Sequence, residues 1–323
     1  MIETDLLVVG AGPTGLYAAY YAGFRGLTVT LMDSLPEPGG QVTALYPEKL
    51  IFDVAGLPQV KGQDLVDNLV AQAAQSKPDY ILGHRAEKLE QRGDRVRVES
   101  DQGLEVLAAA VLITAGIGTF SPREVPVGQE YEGRGLRYFV PKLDELSGLD
   151  VLIVGGGDSA LDWASSLEPL ARSVTLIHRR TRFRAHERSV ERLLQSRVRL
   201  LTPWELHRVF GEGQIDGVEI INNATQERAA LEVQAVVAAL GFVADLGPMT
   251  RWGLEQRARH IVVDSAMRTN LPRVFAAGDI VDYEGKVKLI ATGFGEAATA
   301  INNAVPIIRP GAKVFPGHSS DVG

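Results

Sequence analysis

The sequence predicts an α/β protein of two Rossmann-like, three-layer dinucleotide-binding domains, the second inserted into the first. An apolar run ends in a glycine-rich turn at Gly10, and the same order of strand, glycine turn and helix recurs at Gly155. In both copies a second apolar run ends on a polar residue, Asp33 or His178, at the same distance from the first glycine. A glycine turn between a buried strand and a helix, with a ribose-binding residue about 20 positions on, is typical of dinucleotide-binding units.

The elements of the first copy follow one another closely. The run Leu6–Val9 is fully apolar, as in a strand buried on both faces of a parallel sheet. A helix from Leu16 to Ala22 and a strand from Leu27 to Asp33 come next. In the second copy the corresponding segments are the strand 151–154, the helix 161–170 and the strand 173–178.

Later segments predict how the two domains are connected. Each copy has a further apolar strand that ends at a glycine, Gly116 or Gly241. After the second copy, a strand from Arg273 to Asp279 and a helix from Ala291 to about Ile308 fit the sheet of the first domain. We therefore expect a discontinuous first domain, residues 1–120 and 246–323, around an inserted domain, residues 121–245.

The composition excludes several kinds of chemistry. The 323 residues include no cysteine, which excludes a disulfide, a thiolate nucleophile and a cysteine-bound iron–sulfur or zinc centre. Six histidines without an HExxH pattern or a cluster predict no metal site. The net charge of −7 argues against general nucleic-acid binding, and no apolar run reaches the roughly 20 residues of a membrane span. The N-terminus lacks the pattern of a signal peptide, so we expect a cytoplasmic location.

The first glycine turn predicts a site for an adenine dinucleotide without a 2′-phosphate. Gly10 allows the sharp turn, Gly12 lets the backbone approach a pyrophosphate, and Gly15 permits close packing of helix on strand. The helix N-terminus then presents N–H groups to the phosphates. Asp33 can accept hydrogen bonds from ribose hydroxyls and would repel a 2′-phosphate, so this site suits FAD or NAD.

The second glycine turn predicts a site for NADP. Gly155 and Gly157 take the first two glycine roles, and Ala160 is small enough for the third. His178, Arg179 and Arg180 follow the second strand, with Arg182 and Arg184 close behind. Guanidinium groups at the ribose position would bind a 2′-phosphate, although a solvated basic surface is the alternative interpretation. Two such sites in one chain predict an oxidoreductase in which hydride passes between NADPH and FAD.

The layout resembles the thioredoxin-reductase family of pyridine-nucleotide flavoproteins. The resemblance rests on the first glycine turn, on Gly39-Gly-Gln41, on the segment 178–185 and on the segment 274–279. That family carries a CxxC pair shortly before the second glycine turn, whereas the corresponding stretch here, Leu136–Lys142, has no cysteine. Without a thiolate there is no thiol–disulfide exchange.

The chain is more similar to the thioredoxin-reductase-like subgroup of ferredoxin–NADP⁺ reductases. Its marks are the segments 45–49, 52–56, 155–164, 289–296 and 316–320. The resemblance implies an FAD-containing homodimer with ferredoxin, or flavodoxin, as the electron partner. A quinone acceptor and a non-catalytic FAD/NADPH redox sensor remain the alternatives.

The resemblance also implies roles for individual residues. Tyr46 and His318 would stack on the two faces of the flavin, and Ser320 would bond near it. A surface tyrosine at 46 and a tail residue at 318 are the alternatives from sequence alone. The FAD-binding residues are expected to be Gly10, Gly12, Thr14, Gly15, Asp33, Gly40, Gln41, Tyr46, Ala86, Phe120, Asp279, Thr292 and Ser320. The NADP-binding residues are expected to be Gly155, Gly157, Asp158, Ser159, Ala160, His178, Arg179, Arg180 and Arg184.

Overall fold

The computed structural model describes residues 1–315 and 317, without the side chains of residues 119–121, 243 and 244. By its contacts the chain forms two units. The first comprises Met1–Ala44, Leu50–Thr119 and the chain from Ala244 onward, and the second comprises Leu45–Lys49 and Phe120–Val243. The divisions near 119 and 243 lie close to the boundaries expected from the sequence. The grouping of Leu45–Lys49 with the second unit was not expected.

The elements as far as the first crossover begin with the βαβ unit expected of an α/β domain and end in a run of strands. They are β1 (Ile2–Val9), α1 (Pro13–Phe24), β2 (Val29–Asp33), α2 (Gln41–Leu45), β3 (Leu50–Ile51), β4 (Val60–Lys61), α3 (Gly62–Ala74), β5 (Asp79–Leu82), β6 (Ala86–Arg92), β7 (Arg95–Ser100), β8 (Glu105–Ile113) and β9 (Thr119–Pro122).

The remaining elements complete the second unit and then return to the first. They are β10 (Leu136–Arg137), β11 (Asp150–Val154), α4 (Asp158–Leu167), β12 (Ser173–Ile177), α5 (Glu187–Leu194), β13 (Arg199–Leu201), β14 (Trp204–Phe210), β15 (Gly217–Asn222), β16 (Arg228–Glu232), β17 (Ala235–Ala238), β18 (Phe242–Asp245), β19 (Gln256–Arg257), β20 (His260–Val262), β21 (Val274–Ala276), β22 (Val281–Asp282) and α6 (Ile290–Ile308). Short 3₁₀ helices occupy Gln129–Tyr131, Leu143–Leu146 and Gly247–Arg251.

The sheet of the first unit has seven strands and a mixed pattern. Its order is β5-β2-β1-β8-β7-β6, with β21 paired to β8. Pairing is parallel from β5 to β8 and at β21, whereas β6, β7 and β8 form an antiparallel meander. The carboxyl halves of β1 and β8 are apolar and buried, and the helices α1 and α6 pack against them. The carboxyl ends of β1, β2, β8 and β21 therefore lie along one edge, where α/β sheets bind ligands.

The sheet of the second unit repeats this plan on a smaller scale. Five parallel strands run in the order β10-β17-β11-β12-β13. A separate antiparallel sheet, β14-β15-β16, packs its apolar residues into the core of this unit. The predicted α/β class with parallel sheets is confirmed, while the antiparallel sheet was not predicted. Among the described helices, none combines the length and apolar character needed to cross a lipid bilayer.

The chain passes between the two units through paired strands. The strands β9 and β18 form a two-stranded sheet at the two crossovers. Gly118, just before β9, has a φ of +78°, and a Cβ atom placed on it would lie 2.1 Å from the carbonyl oxygen of Asp245. Only a glycine fits here, because both the backbone angle and the space exclude a side chain.

We expect Gly118→Ala to destabilise the first unit more than Gly103→Ala does. Gly103 has nearly the same φ, +79°, but no atom within 4 Å of its Cβ position, so its substitution costs only the left-handed backbone penalty of about 1–2 kcal/mol. Gly118→Ala adds a collision with backbone that side-chain movement cannot relieve. Thermal unfolding of the two variants measures the difference, and equal melting temperatures would contradict it.

Candidate dinucleotide-binding sites

The N-terminus of α1 forms the centre of the first candidate site. Gly12 is its N-cap, no side chain bonds to the free N–H groups, and Pro13 follows in the first turn. That turn contains no acidic residue. Uncapped N–H groups and the positive end of the helix dipole favour an anion such as a pyrophosphate.

Backbone packing around this turn leaves space where the anion would lie. A Cβ atom on Gly15 would fall 1.9 Å from the carbonyl oxygen of Gly10, so α1 and β1 touch directly. A Cβ atom on Gly12, by contrast, would have only Gly40 near it, at 4.0 Å. The amide of Gly39 donates to the carbonyl oxygen of Ala11 at 2.8 Å and holds the two glycine segments together. The side-chain position of Gly12 is therefore open, whereas Gly40 packs closely on Gly12, since a Cβ atom on Gly40 would lie 3.0 Å from the Gly12 Cα atom.

Asp33 lies at the carboxyl end of β2, where the ribose would lie. Its Oδ2 accepts a hydrogen bond from the Ala11 amide at 2.6 Å, and its Oδ1 accepts one from the Leu35 amide at 2.8 Å. Burial raises the pKa of Asp33, and these backbone donors oppose the rise. Each carboxylate oxygen keeps a further lone pair, so Asp33 can still accept bonds from hydroxyl groups.

Thr14 joins the α1 N-terminus to two segments from the end of the chain. Cβ atoms on Gly278 and Gly293 would lie 3.0 and 2.4 Å from the Thr14 hydroxyl oxygen. Asp279 and Thr292, the neighbours of these glycines, are thereby brought to the site. The N-terminus of α6 also lacks a side-chain cap and an acidic residue in its first turn, so its N–H groups are available.

Gln41 and Ala86 border the same site. A Cβ atom on Gly116 would lie 2.6 Å from Nε2 of Gln41, which places Gln41 at the turn after β8. Ala86 begins β6, and the amide of His84, two residues before it, donates to the carbonyl oxygen of Asp33 at 2.9 Å. The structure thus groups the expected residues Gly10, Gly12, Thr14, Gly15, Asp33, Gly40, Gln41, Asp279 and Thr292, with Ala86 close by.

Tyr46 is expected at the FAD but is not part of this group. Tyr46 belongs by its contacts to the second unit, where it packs beside the apolar core, and Nζ of Lys49 lies 5.6 Å from its ring centre. The side chain of Phe120 is outside the described part of the chain, and so are His318 and Ser320. Their flavin roles remain predictions.

The second candidate site lies at the N-terminus of α4. Gly157 is the N-cap, again without a side-chain bond to the free amides. A Cβ atom on Gly155 would lie 2.4 Å from the Ala239 carbonyl oxygen, just as a Cβ atom on Gly10 would lie 2.6 Å from the Thr114 carbonyl oxygen. Asp158 accepts a bond from the His186 amide at 2.9 Å, so its carboxylate fixes the neighbouring loop. Ala160 is fully buried, and Ser159 lies between it and Asp158 in the first turn of α4.

The loop after β12 folds back over this glycine turn. The amide of Arg184 donates to the Gly156 carbonyl oxygen at 2.8 Å. The His178 ring stacks on Phe183 at 5.3 Å, and its Nε2 lies 3.2 Å from the Arg182 carbonyl oxygen. Burial lowers the pKa of His178, and the nearby arginines lower it further.

The arginines of this loop surround an open cavity. The cavity has a volume of about 480 Å³ and is lined by Arg180, Arg182, Phe183 and Arg184. Arg179 is exposed beside them. Within the described residues, none of these guanidinium groups forms an ion pair with a carboxylate, in contrast to Arg172, which pairs with Asp150. Unpaired guanidinium groups around a cavity suit a phosphate. Phe183 was not expected at this site, although an aromatic residue among arginines in the segment 178–185 was the available signal.

Across residues 1–315 and 317, no group of three or more histidine, aspartate or glutamate side chains is arranged to hold a metal ion.

The fold and the two sites agree with the family to which the sequence assigns the chain. Residues 4–304 match the pyridine nucleotide-disulphide oxidoreductase family, and the chain belongs to that family. Among solved structures, thioredoxin reductases share its fold. One from T. acidophilum has a TM-score of 0.82 and 24% identity, covering 94% of this chain and 98% of that one. One from Lactococcus lactis has a TM-score of 0.81 and 24% identity, covering 94% and 99%.

Within the family, the chain is similar over its full length to ferredoxin–NADP reductases. The protein of that name from Frankia casuarinae is 62% identical over 318 residues, which cover 98% of this chain and 99% of the relative. The one from Thermus thermophilus is 52% identical and covers 99% and 97%. The resemblance drawn from the sequence motifs is therefore confirmed.

The lowered pKa of His178 predicts that stability falls in mild acid. The folded protein holds His178 neutral, whereas the unfolded chain takes up a proton near pH 6.5. The melting temperature of the second unit is thus expected to drop as the pH falls below about 6.5. His178→Gln, which keeps a donor for the Arg182 carbonyl oxygen, should weaken this dependence. Melting temperatures of the two proteins, measured between neutral and mildly acidic pH, test this prediction. An equal fall of the melting temperature in both proteins would contradict it.

Proposed function

We propose that the protein is an FAD-dependent oxidoreductase that passes electrons between NADPH and ferredoxin. The observation that carries the proposal is a pair of uncapped helix N-termini at glycine turns, with a carboxylate beside one and unpaired arginines beside the other. In this assignment residues 1–120 and 246–323 bind FAD, and residues 121–245 bind NADPH. Ferredoxin is proposed as the electron partner because the relatives are named ferredoxin–NADP reductase.

The residues at the first site fit FAD. Amides of the α1 N-terminus would bind the pyrophosphate beside Gly12, where the side-chain position is open, and Asp33 would accept hydrogen bonds from the adenosine ribose. Asp279 would lie near the ribityl–phosphate region, and the α6 N-terminus at Thr292 would face the isoalloxazine. Bound FAD supplies the change from two-electron to one-electron transfer, which no side chain of this protein can perform.

The chain's own groups position the reactants and balance charge. The positive end of α6 favours negative charge at the flavin carbonyl edge. Arg179, Arg180 and Arg184 would bind the 2′-phosphate of NADPH, and the amides of α4 would bind its pyrophosphate. Because the chain has no cysteine, electrons must leave from the cofactor directly to an external acceptor.

Further roles follow from the resemblance. Tyr46 and His318 are proposed to cover the two faces of the flavin, with Gln41 and Ser320 near it. Ala86 is proposed to offer its backbone to the adenine, and Phe120 to line the FAD site. The working form is proposed to be a homodimer in the cytoplasm, with flavodoxin as a substitute partner for ferredoxin.

Reduction of the bound cofactor and of ferredoxin tests this function. The purified protein should show a flavin absorption spectrum that NADPH bleaches anaerobically, and cytochrome c reduction should then depend on added ferredoxin. Bleaching without dependence on ferredoxin would favour a quinone or another acceptor. Absence of bleaching would favour a redox sensor and contradict the proposed activity.

We expect Arg180→Ala to reduce the preference for NADPH over NADH. Loss of a charge-assisted bond worth about 1.5–3 kcal/mol should raise the KM for NADPH roughly 10-fold to 100-fold. NADH has no 2′-phosphate, so its KM should not change. Arg199→Ala serves as the control because Arg199 is exposed on β13, outside the residues that line the cavity. Equal losses with both nucleotides would contradict the assignment.

A further inference from the structure

The most buried ion pair of the described residues joins Glu296 to Lys286. Each of the two side chains is only 5% exposed, whereas the other ion pairs have at least one partner exposed by 21% or more. Glu296 is also the one acidic side chain in the buried core of the described part of the chain. Burying a carboxylate is costly unless it is paired and hydrogen-bonded, so this pair requires a specific explanation.

The carboxylate of Glu296 accepts hydrogen bonds from three donors. Its Oε2 accepts from the Gly278 amide at 2.7 Å. Its Oε1 accepts from the Tyr283 hydroxyl at 2.6 Å and from Nζ of Lys286 at 2.5 Å. The pKa of Tyr283 is raised to about 12 by burial and by this bond, so its hydroxyl stays protonated as a donor. Nζ of Lys286 also lies 5.6 Å from the Tyr283 ring centre, a cation–π distance.

These contacts connect two segments of the first candidate site. Glu296 belongs to α6, one turn past the uncapped N-terminus at Thr292. Gly278 directly precedes Asp279, and Thr14 of the α1 turn contacts both Gly278 and Gly293. The Glu296 carboxylate therefore fixes the loop that carries Asp279 to the helix end that carries Thr292.

Lys286 also links Glu296 to Asp279 electrostatically. Burial raises the pKa of Asp279, Lys286 and Lys288 lower it, and Glu296 raises it. One buried cation thus compensates two carboxylates. Lys288 is held from the other side by His260, whose Nε2 lies 2.6 Å from Nζ of Lys288.

We propose that Glu296, with Lys286 and Tyr283, is a positioning group for the flavin cofactor. It holds the Gly278–Asp279 loop and the α6 N-terminus in the arrangement that grips the ribityl–pyrophosphate chain and the isoalloxazine edge. It touches no cofactor atom itself. This inference rests on the proposed FAD site and adds to it a buried group that positions the binding residues.

The test compares Glu296→Gln with the control Glu284→Gln. Glu284 is exposed and adjacent to Tyr283, so its substitution removes a nearby charge without touching the buried pair. Glu296→Gln leaves Lys286 without its anion and weakens the bond to Gly278. We expect the dissociation constant of FAD to rise about tenfold, as for loss of one hydrogen bond to a charged group. The flavin midpoint potential should also shift, while Glu284→Gln leaves both quantities unchanged.

Tyr283→Phe keeps the test decisive if Glu296→Gln does not fold. It removes one donor and preserves the ion pair, so FAD affinity should fall in the same direction by a smaller factor. A merely structural role would lower the melting temperature but leave FAD affinity and midpoint potential unchanged. That result in the folded variants would overturn the inference. An unmodified protein that takes up no FAD would overturn the proposed function and this inference together.

Discussion

Direct contact between backbone segments at the glycine turn after β1 is the constraint on which the first unit depends. A side chain at Gly10 would collide with the Thr114 carbonyl, and one at Gly15 would collide with Gly10 itself. Because these positions carry no side chain, α1 begins directly after the strand and its free amides lie at the edge of the sheet. The side-chain position of Gly12 is open at this helix end, and the Gly39–Gly40 segment packs directly against Ala11 and Gly12. The turn after β11 is packed in the same way, because a side chain at Gly155 would collide with the Ala239 carbonyl.

Electrostatics distinguish the two sites although their backbones are alike. At the first, Asp33 is fixed by two backbone donors at the end of β2. At the second, the arginines after β12 lack carboxylate partners within the described residues, and their loop is pinned through Gly156 and Asp158. In the proposed assignment, an anion-repelling residue and an anion-binding cluster at equivalent positions would select different dinucleotides. The same fold would then serve two ligands.

The chain shares its fold with thioredoxin reductases but has no cysteine for thiol–disulfide exchange. Thioredoxin reductases superimpose on this chain over most of its length, but at 24% identity the likeness concerns the fold alone. The chain has no thiol to oxidise. Its family membership and its similarity to ferredoxin–NADP reductases agree with a flavin that exchanges electrons with an external protein.

The sequence by itself determined the parts that depend on neighbours along the chain. Apolar runs predicted the strands that follow the βαβ pattern, and the glycine spacing predicted both turns. The polar residues after β2 and β12 predicted the type of ligand at each turn. Only the tertiary structure decided which distant segments meet. Thr14 lies between Gly278 and Gly293, Leu45–Lys49 groups with the second unit, and Glu296 is buried on Lys286. No local pattern encodes these contacts, because a periodic sequence specifies which face of an element is apolar but not which residue elsewhere in the chain packs against it.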